Sequence, residues 1–89
     1  MYVVIRKYST SLSKEIQNEI PKTLIPKLKQ LPGFVQYKVI ELPNGNGLSI
    51  STYNDKLSAE KTNEIVRAWL AEHKFELPKP EIIEGTVII

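Results

Sequence analysis

The chain has no cysteine and a single histidine, His73. Disulfides, thiolate metal sites and a thiol nucleophile are excluded, and one chain cannot build a multi-histidine metal centre. Any metal would need carboxylates, and no metal site is expected. Long apolar runs are also missing: none approaches the ~20 residues of a spanning helix. The opening Tyr2-Val3-Val4-Ile5 is too short for a signal-peptide core and leads to no small-residue cleavage site. A soluble, cytoplasmic protein with no membrane partner is therefore expected. Nor is there an excess of one charge. Twelve basic and ten acidic side chains give a formal +2, scattered singly along the chain, which describes a solvated surface and predicts no nucleic-acid partner. The 89 residues suffice for one domain, 1–89. A chain this short buries a smaller share of its surface than one of ~150 residues, so a partner subunit would help it.

What is present is strong local patterning. Tyr2 to Tyr8 reads as a strand with Val3 and Ile5 on one face and Tyr2, Val4, Arg6 and Tyr8 on the other. Ser9-Thr10-Ser11 offers caps for a helix, along which Leu12, Ile16, Ile20, Leu24 and Leu28 recur every fourth residue. On a 3.6-residue helix such a repeat drifts by roughly 40° per step, so the helix must bend to keep the stripe buried. Pro21 and Pro26 predict those bends, giving one bent helix or two short ones, ended by Pro32-Gly33. A second strand, Phe34 to Leu42, places Val35, Tyr37 and Val39 opposite Phe34 and Ile40.

Pro43-Asn44-Gly45-Asn46-Gly47 predicts a tight hairpin turn. The strand after it, Leu48 to Tyr53, alternates Leu48, Ile50 and Thr52 with Ser49, Ser51 and Tyr53. The small hydroxyl face lets something large sit close to the backbone. A helix capped at Ser58 and running to about Lys74 turns Ala59, Thr62, Ile65, Val66, Trp69, Leu70 and His73 inward. Leu77-Pro78-Lys79-Pro80 is stiff and extended, and Ile82 to Ile89 forms the last strand.

The order strand, helix, strand, strand, helix, strand is the split β-α-β arrangement. It implies an α+β, ferredoxin-like fold with a four-stranded antiparallel sheet and both helices on one face. Apolar side chains on both faces of the first, second and fourth strands require a second cover. A homodimer packed through the sheet face, with a barrel between subunits, supplies it.

The run Leu24-Ile25-Pro26-Lys27-Leu28-Lys29-Gln30-Leu31-Pro32-Gly33-Phe34 is followed by a strand, a hairpin, a strand ending Tyr53-Asn54-Asp55-Lys56, and Ala59-Glu60. This pattern resembles the antibiotic biosynthesis monooxygenase superfamily of dimeric α/β barrels. The tail from Ala68-Trp69 through Leu77-Pro78-Lys79-Pro80 to Glu84-Gly85 is similar to small bacterial members of unassigned function. The resemblance implies a cofactor-independent monooxygenase for a small aromatic compound, with Tyr2, Arg6, Tyr8, Tyr37 and Tyr53 around a cavity and Arg6 stabilising the substrate anion. Haem-degrading members use an Asn, Trp and His set. Asn63, Trp69 and His73 supply those types but all from one helix, so neither haem nor another cofactor is expected.

Trp69 and His73, four residues apart, share a helix face. On the face expected to meet the sheet, they either line a pocket between helix and sheet, with His73 as proton acceptor, or serve as a core ring and a helix-end cation. The candidate catalytic residues are thus His73 and Arg6, and the candidate pocket lining is Trp69, Tyr37, Tyr53 and Asn63. An RNA-recognition reading fails because Ser49 and Ser51 stand where stacking rings would be needed, and Gly45-Asn46-Gly47 lacks a phosphate-loop continuation. Two functions stay open: the oxygenase, and a non-catalytic dimeric module that binds small molecules or regulates.

Overall fold

Strand β1 (Tyr2–Lys7) runs inside the sheet, paired antiparallel with β3 (Gly47–Tyr53) on one side and β4 (Glu81–Thr86) on the other. Strand β2 (Phe34–Glu41) adds antiparallel to the far side of β3, giving the order β2-β3-β1-β4. A computed structural model describes all of residues 1–89. Its antiparallel sheet, with the helical segments packed on one face, is the expected ferredoxin-like fold.

The first helical segment consists of α1 (Lys14–Glu19), a π turn (Ile20–Leu24) and α2 (Ile25–Leu28). Its cap is Ser13, whose hydroxyl accepts from the Ile16 N–H at 3.2 Å, and not the earlier hydroxyl run. That run lies in the connection, where the Thr10 carbonyl accepts from the Gly47 N–H at 2.9 Å. Leu12 packs so closely there that a Cβ on Gly47 would stand 2.5 Å from its Cγ. Pro21 and Pro26 cannot donate backbone hydrogen bonds. The ladder between them reforms with the wider i to i+5 bond, Ile25 N–H to Ile20 C=O. A four-residue stride overshoots an α turn and falls short of the wider one. The π turn therefore cancels the drift, and Ile16, Ile20, Leu24 and Leu28 all stay buried.

Helix α3 (Lys56–Glu72) is capped by Asp55, whose carboxylate accepts from the Ser58 N–H at 2.8 Å. Ser58, the expected cap, is itself buried in the first turn. The helix ends at His73, and Lys74 adopts φ +57°, so that the Phe75 N–H reaches the Leu70 carbonyl at 2.9 Å. Val66 and Trp69 pack with the aliphatic stripe of the first segment, and Tyr37 and Val39 complete this core from the sheet.

Three strand readings are corrected. A bulge between Phe34 and Gln36 brings Phe34 onto the helix side, edge-to-face on Tyr53 at 5.6 Å. In the hairpin only Gly45 has a positive φ. The turn is a longer one, closed by Leu42 N–H to Asn46 C=O at 2.8 Å and by the Asn44 side chain accepting from the Asn46 N–H at 3.0 Å. Strand β4 stops at Thr86, and Ile88 and Ile89 are exposed. On the helix-free face Ile83, Ile5 and Ile50 stand side by side in register, with Ile40 and Ile83 exposed. No helix is long and apolar enough to cross a membrane.

Candidate functional site

Alternation along β1 turns Val4 and Arg6 toward α3, with Tyr8 following just past the strand end. Arg6 is 2% exposed, an extreme value for a residue type that is almost never fully buried unless paired. Space for it comes from β3, because Ser49 lies opposite Arg6 and Ser51 opposite Val4. The Arg6 Nη1 donates to Ser51 Oγ at 2.8 Å and reaches Ser49 Oγ at 3.5 Å. Its Nε and Nη2 have no partner, and no salt bridge involves it. A lone buried charge costs several kcal/mol unless something compensates it. Burial accordingly pushes the guanidinium pKa down, and the surrounding Tyr37, Tyr8 and Tyr53 hydroxyls act the other way.

Arg6 lines a cavity of about 470 Å³. On α3, Asn63, Val66, Arg67 and Leu70 follow the spacing of one helix face and form a second wall. Leu77 to Pro80 closes the side, and Ile82, opposite Arg6 in the ladder, forms the floor. The lining is apolar apart from Tyr8, Asn63, Arg6, Arg67 and Lys79, and contains no acid. The Asn63 Oδ1 is buried without a partner. Tyr8 is also buried, its phenol pushed up to about 12 by burial and then by Tyr37, so it is neutral near pH 7. The acid that acts on Arg6 is Glu84, on the neighbouring strand and outside the lining, which accepts from the Tyr2 hydroxyl at 2.8 Å.

The other sequence-predicted residues lie elsewhere. Tyr53 is fully buried with its hydroxyl donating to the Leu28 carbonyl at 3.0 Å. Tyr37 packs under the first helical segment and borders a separate cleft of about 400 Å³ beside the β2–β3 hairpin. Trp69 and His73 face the first helical segment. The indole Nε1 donates to Thr23 Oγ1 at 2.8 Å, His73 Nδ1 lies 3.0 Å from the Trp69 carbonyl, and His73 Nε2 lies 3.4 Å from Thr23 Oγ1 and 3.9 Å from Glu19. Phe75 stacks on the imidazole at 5.5 Å. The structure thus brings Arg6 and Asn63 together and keeps Trp69, His73, Tyr37 and Tyr53 outside their cavity. Arg67 and Lys79 were missed as lining. The four-residue step from Asn63 to Arg67 was the available signal for the first, and for Lys79 its place between two prolines in an extended strap.

No protein-family model matches the chain, and no curated protein matches it in sequence. Solved structures do match. A putative antibiotic biosynthesis monooxygenase from Nitrosomonas europaea superposes with TM-score 0.74 at 15% identity, covering 100% of each chain. SnoaB from Streptomyces nogalater, a cofactor-independent oxygenase crystallised as a point mutant, gives 0.69 at 11% identity over 97% of this chain and 91% of that one. A variant of MhuD, with two manganese protoporphyrin IX molecules per active site, gives 0.69 at 14% identity over 100% and 96%. The chain therefore has the antibiotic biosynthesis monooxygenase-like fold.

Proposed function

We propose that the chain binds a small aromatic anion in the Arg6 cavity and oxidises it with dioxygen, without a cofactor. The observation that carries the reading is a buried guanidinium with two unpartnered nitrogens, Nε and Nη2, beside a largely apolar cavity of about 470 Å³, the combination a small-molecule site needs. An electron-rich anion held there gives one electron to dioxygen. The radical pair joins as a peroxide anion on a carbon that bears a hydrogen, the proton released when the substrate ionised returns to it, and loss of water from the hydroperoxide leaves a new carbonyl. One dioxygen atom stays in the product and the other leaves in water. Arg6 holds the negative head of the substrate, and the apolar walls keep water from the radical pair. SnoaB, of the same fold, is a cofactor-independent oxygenase, which supports the reading.

A histidine-ligated haem fits these residues poorly. His73 has one ring nitrogen at the Trp69 carbonyl and the other toward Thr23 and Glu19, away from the cavity. The same fact favours the second reading, a non-catalytic binding module, since the only histidine is not placed as a base. The apolar row across the open sheet face supports a homodimer as the working assembly.

Oxygen uptake with a set of hydroxylated naphthalenes and anthracenes, with and without a ring carboxylate, in buffer free of metal and flavin, tests the proposal. Uptake that places one labelled atom in the product and disappears in Arg6→Met supports the oxygenase. Binding without uptake, abolished by the same substitution, selects the module.

A further inference from the structure

We propose that the ligand of this cavity carries a carboxylate, held side-on by Arg6 through Nε–H and Nη2–H. The inference rests on the reading of the cavity as a ligand site and narrows its ligand class. A guanidinium can be met at either Nη end or along the edge where Nε–H and Nη2–H run parallel. In this protein Nη1 is taken by Ser51 and Ser49. What remains without a partner is the Nε and Nη2 pair, the fork that matches the two oxygens of a carboxylate. A phenolate offers one oxygen and would satisfy half of it.

The surroundings agree in charge and shape. Arg67 and Lys79 add positive charge to the lining, no acid is among the lining residues, and the cavity is walled by Val66, Leu70 and Leu77. These features suit an anionic head on an apolar body of one or two rings. The unpartnered Asn63 Oδ1 is an acceptor for a hydroxyl on that body, so the class is a hydroxylated aromatic carboxylate. Neither Arg6 nitrogen is reached by water in this conformation, and an entering oxygen must displace part of the wall. Residues 76–80 are the part that can yield, since they lie outside every helix and strand and none of the backbone hydrogen bonds in turns and loops involves them.

The test titrates the intact protein calorimetrically with para-nitrobenzoate and para-nitrophenolate, matched in size, at a pH where both are ionised. The expected result is a preference of about tenfold or more for the carboxylate, lost in Arg6→Lys, which keeps the charge and removes the fork. Tighter or equal binding of the phenolate overturns the inference and leaves the cavity reading intact, as does a preference that survives Arg6→Lys in folded protein. Failure of both probes to bind overturns the cavity reading and the inference with it. Should Arg6→Lys not fold, the isotope-labelled wild type decides: the Arg6 Nε–H proton resonance must move downfield with nitrobenzoate and not with nitrophenolate, and the reverse pattern overturns the proposal.

Discussion

The Arg6 guanidinium donates to the Ser51 hydroxyl at 2.8 Å across two neighbouring strands, and this is the short bond that orients it. Replacing Ser51 with Ala removes a bond to a buried charge, and we expect a loss of about 2 kcal/mol in urea unfolding. The cavity's affinity for anions should fall as well, because the fork is then free to rotate. An unchanged unfolding midpoint would mean that the hydroxyl does not hold the charge.

Thr23 joins the two helical segments by accepting from Trp69 Nε1 while its own hydroxyl lies 3.1 Å from the Glu19 carbonyl. Thr23→Val keeps the shape and strands a buried indole donor, at an expected cost of about 1–3 kcal/mol. Trp69 fluorescence should shift while probe affinity in the Arg6 cavity stays at the wild-type value. A change in that affinity would tie the indole cluster to the binding site.

All four tyrosines are pushed up from their ordinary value, Tyr8, Tyr37 and Tyr53 chiefly by burial and Tyr2 chiefly by its bond to Glu84. A phenol with a raised folded-state pKa keeps its proton in the native chain after the unfolded chain has lost it. Its stabilisation is complete below the unfolded pKa and is lost as pH rises through the folded one. For Tyr8 that window runs from 10.0 to about 12. Phenolate absorbance should stay low at pH 10 in the folded protein, denaturant midpoints should fall above it, and Tyr8→Phe should flatten part of that fall. A full tyrosine titrating near 10 would contradict this environment.

Ile5 lies between Ile50 and Ile83 on the helix-free face. Val39, by contrast, packs with the helical core, so a charge at Val39 would test folding and one at Ile5 tests association. Ile5→Lys is expected to turn a dimer into folded monomers in sedimentation equilibrium. A wild type that sediments as a monomer at every concentration would remove the reason for the second cover.

The alternations of β1 and β3 were legible because each strand repeats every second residue without interruption. That was enough to put Arg6 on one face of β1 and Ser49 and Ser51 on one face of β3; the register that sets them together came from the structure. Phe34 was assigned to the wrong face because a bulge spends one residue between it and Gln36, and no residue type there announces one. Trp69 and His73 were readable as one face of α3 but not as facing the first helical segment, since a buried helix presents an arc broad enough to meet both a sheet and a neighbouring helix. Arg6 was legible on the face of β1 that it shares with Val4 and Tyr8. Its pairing with Asn63 was not, because it depends on how α3 crosses β1.

The strap from residue 76 to residue 80 separates two kinds of inheritance. Arg6, Ser49 and Ser51 are placed by strand register, inside the sheet. The strap contributes no rung to that ladder; Leu77 packs on the helical core, and Pro78, Lys79 and Pro80 are the positions where the outline of the cavity can change while that core stays intact. A lineage built on this chain can keep its buried arginine while the outline of the cavity beside it drifts.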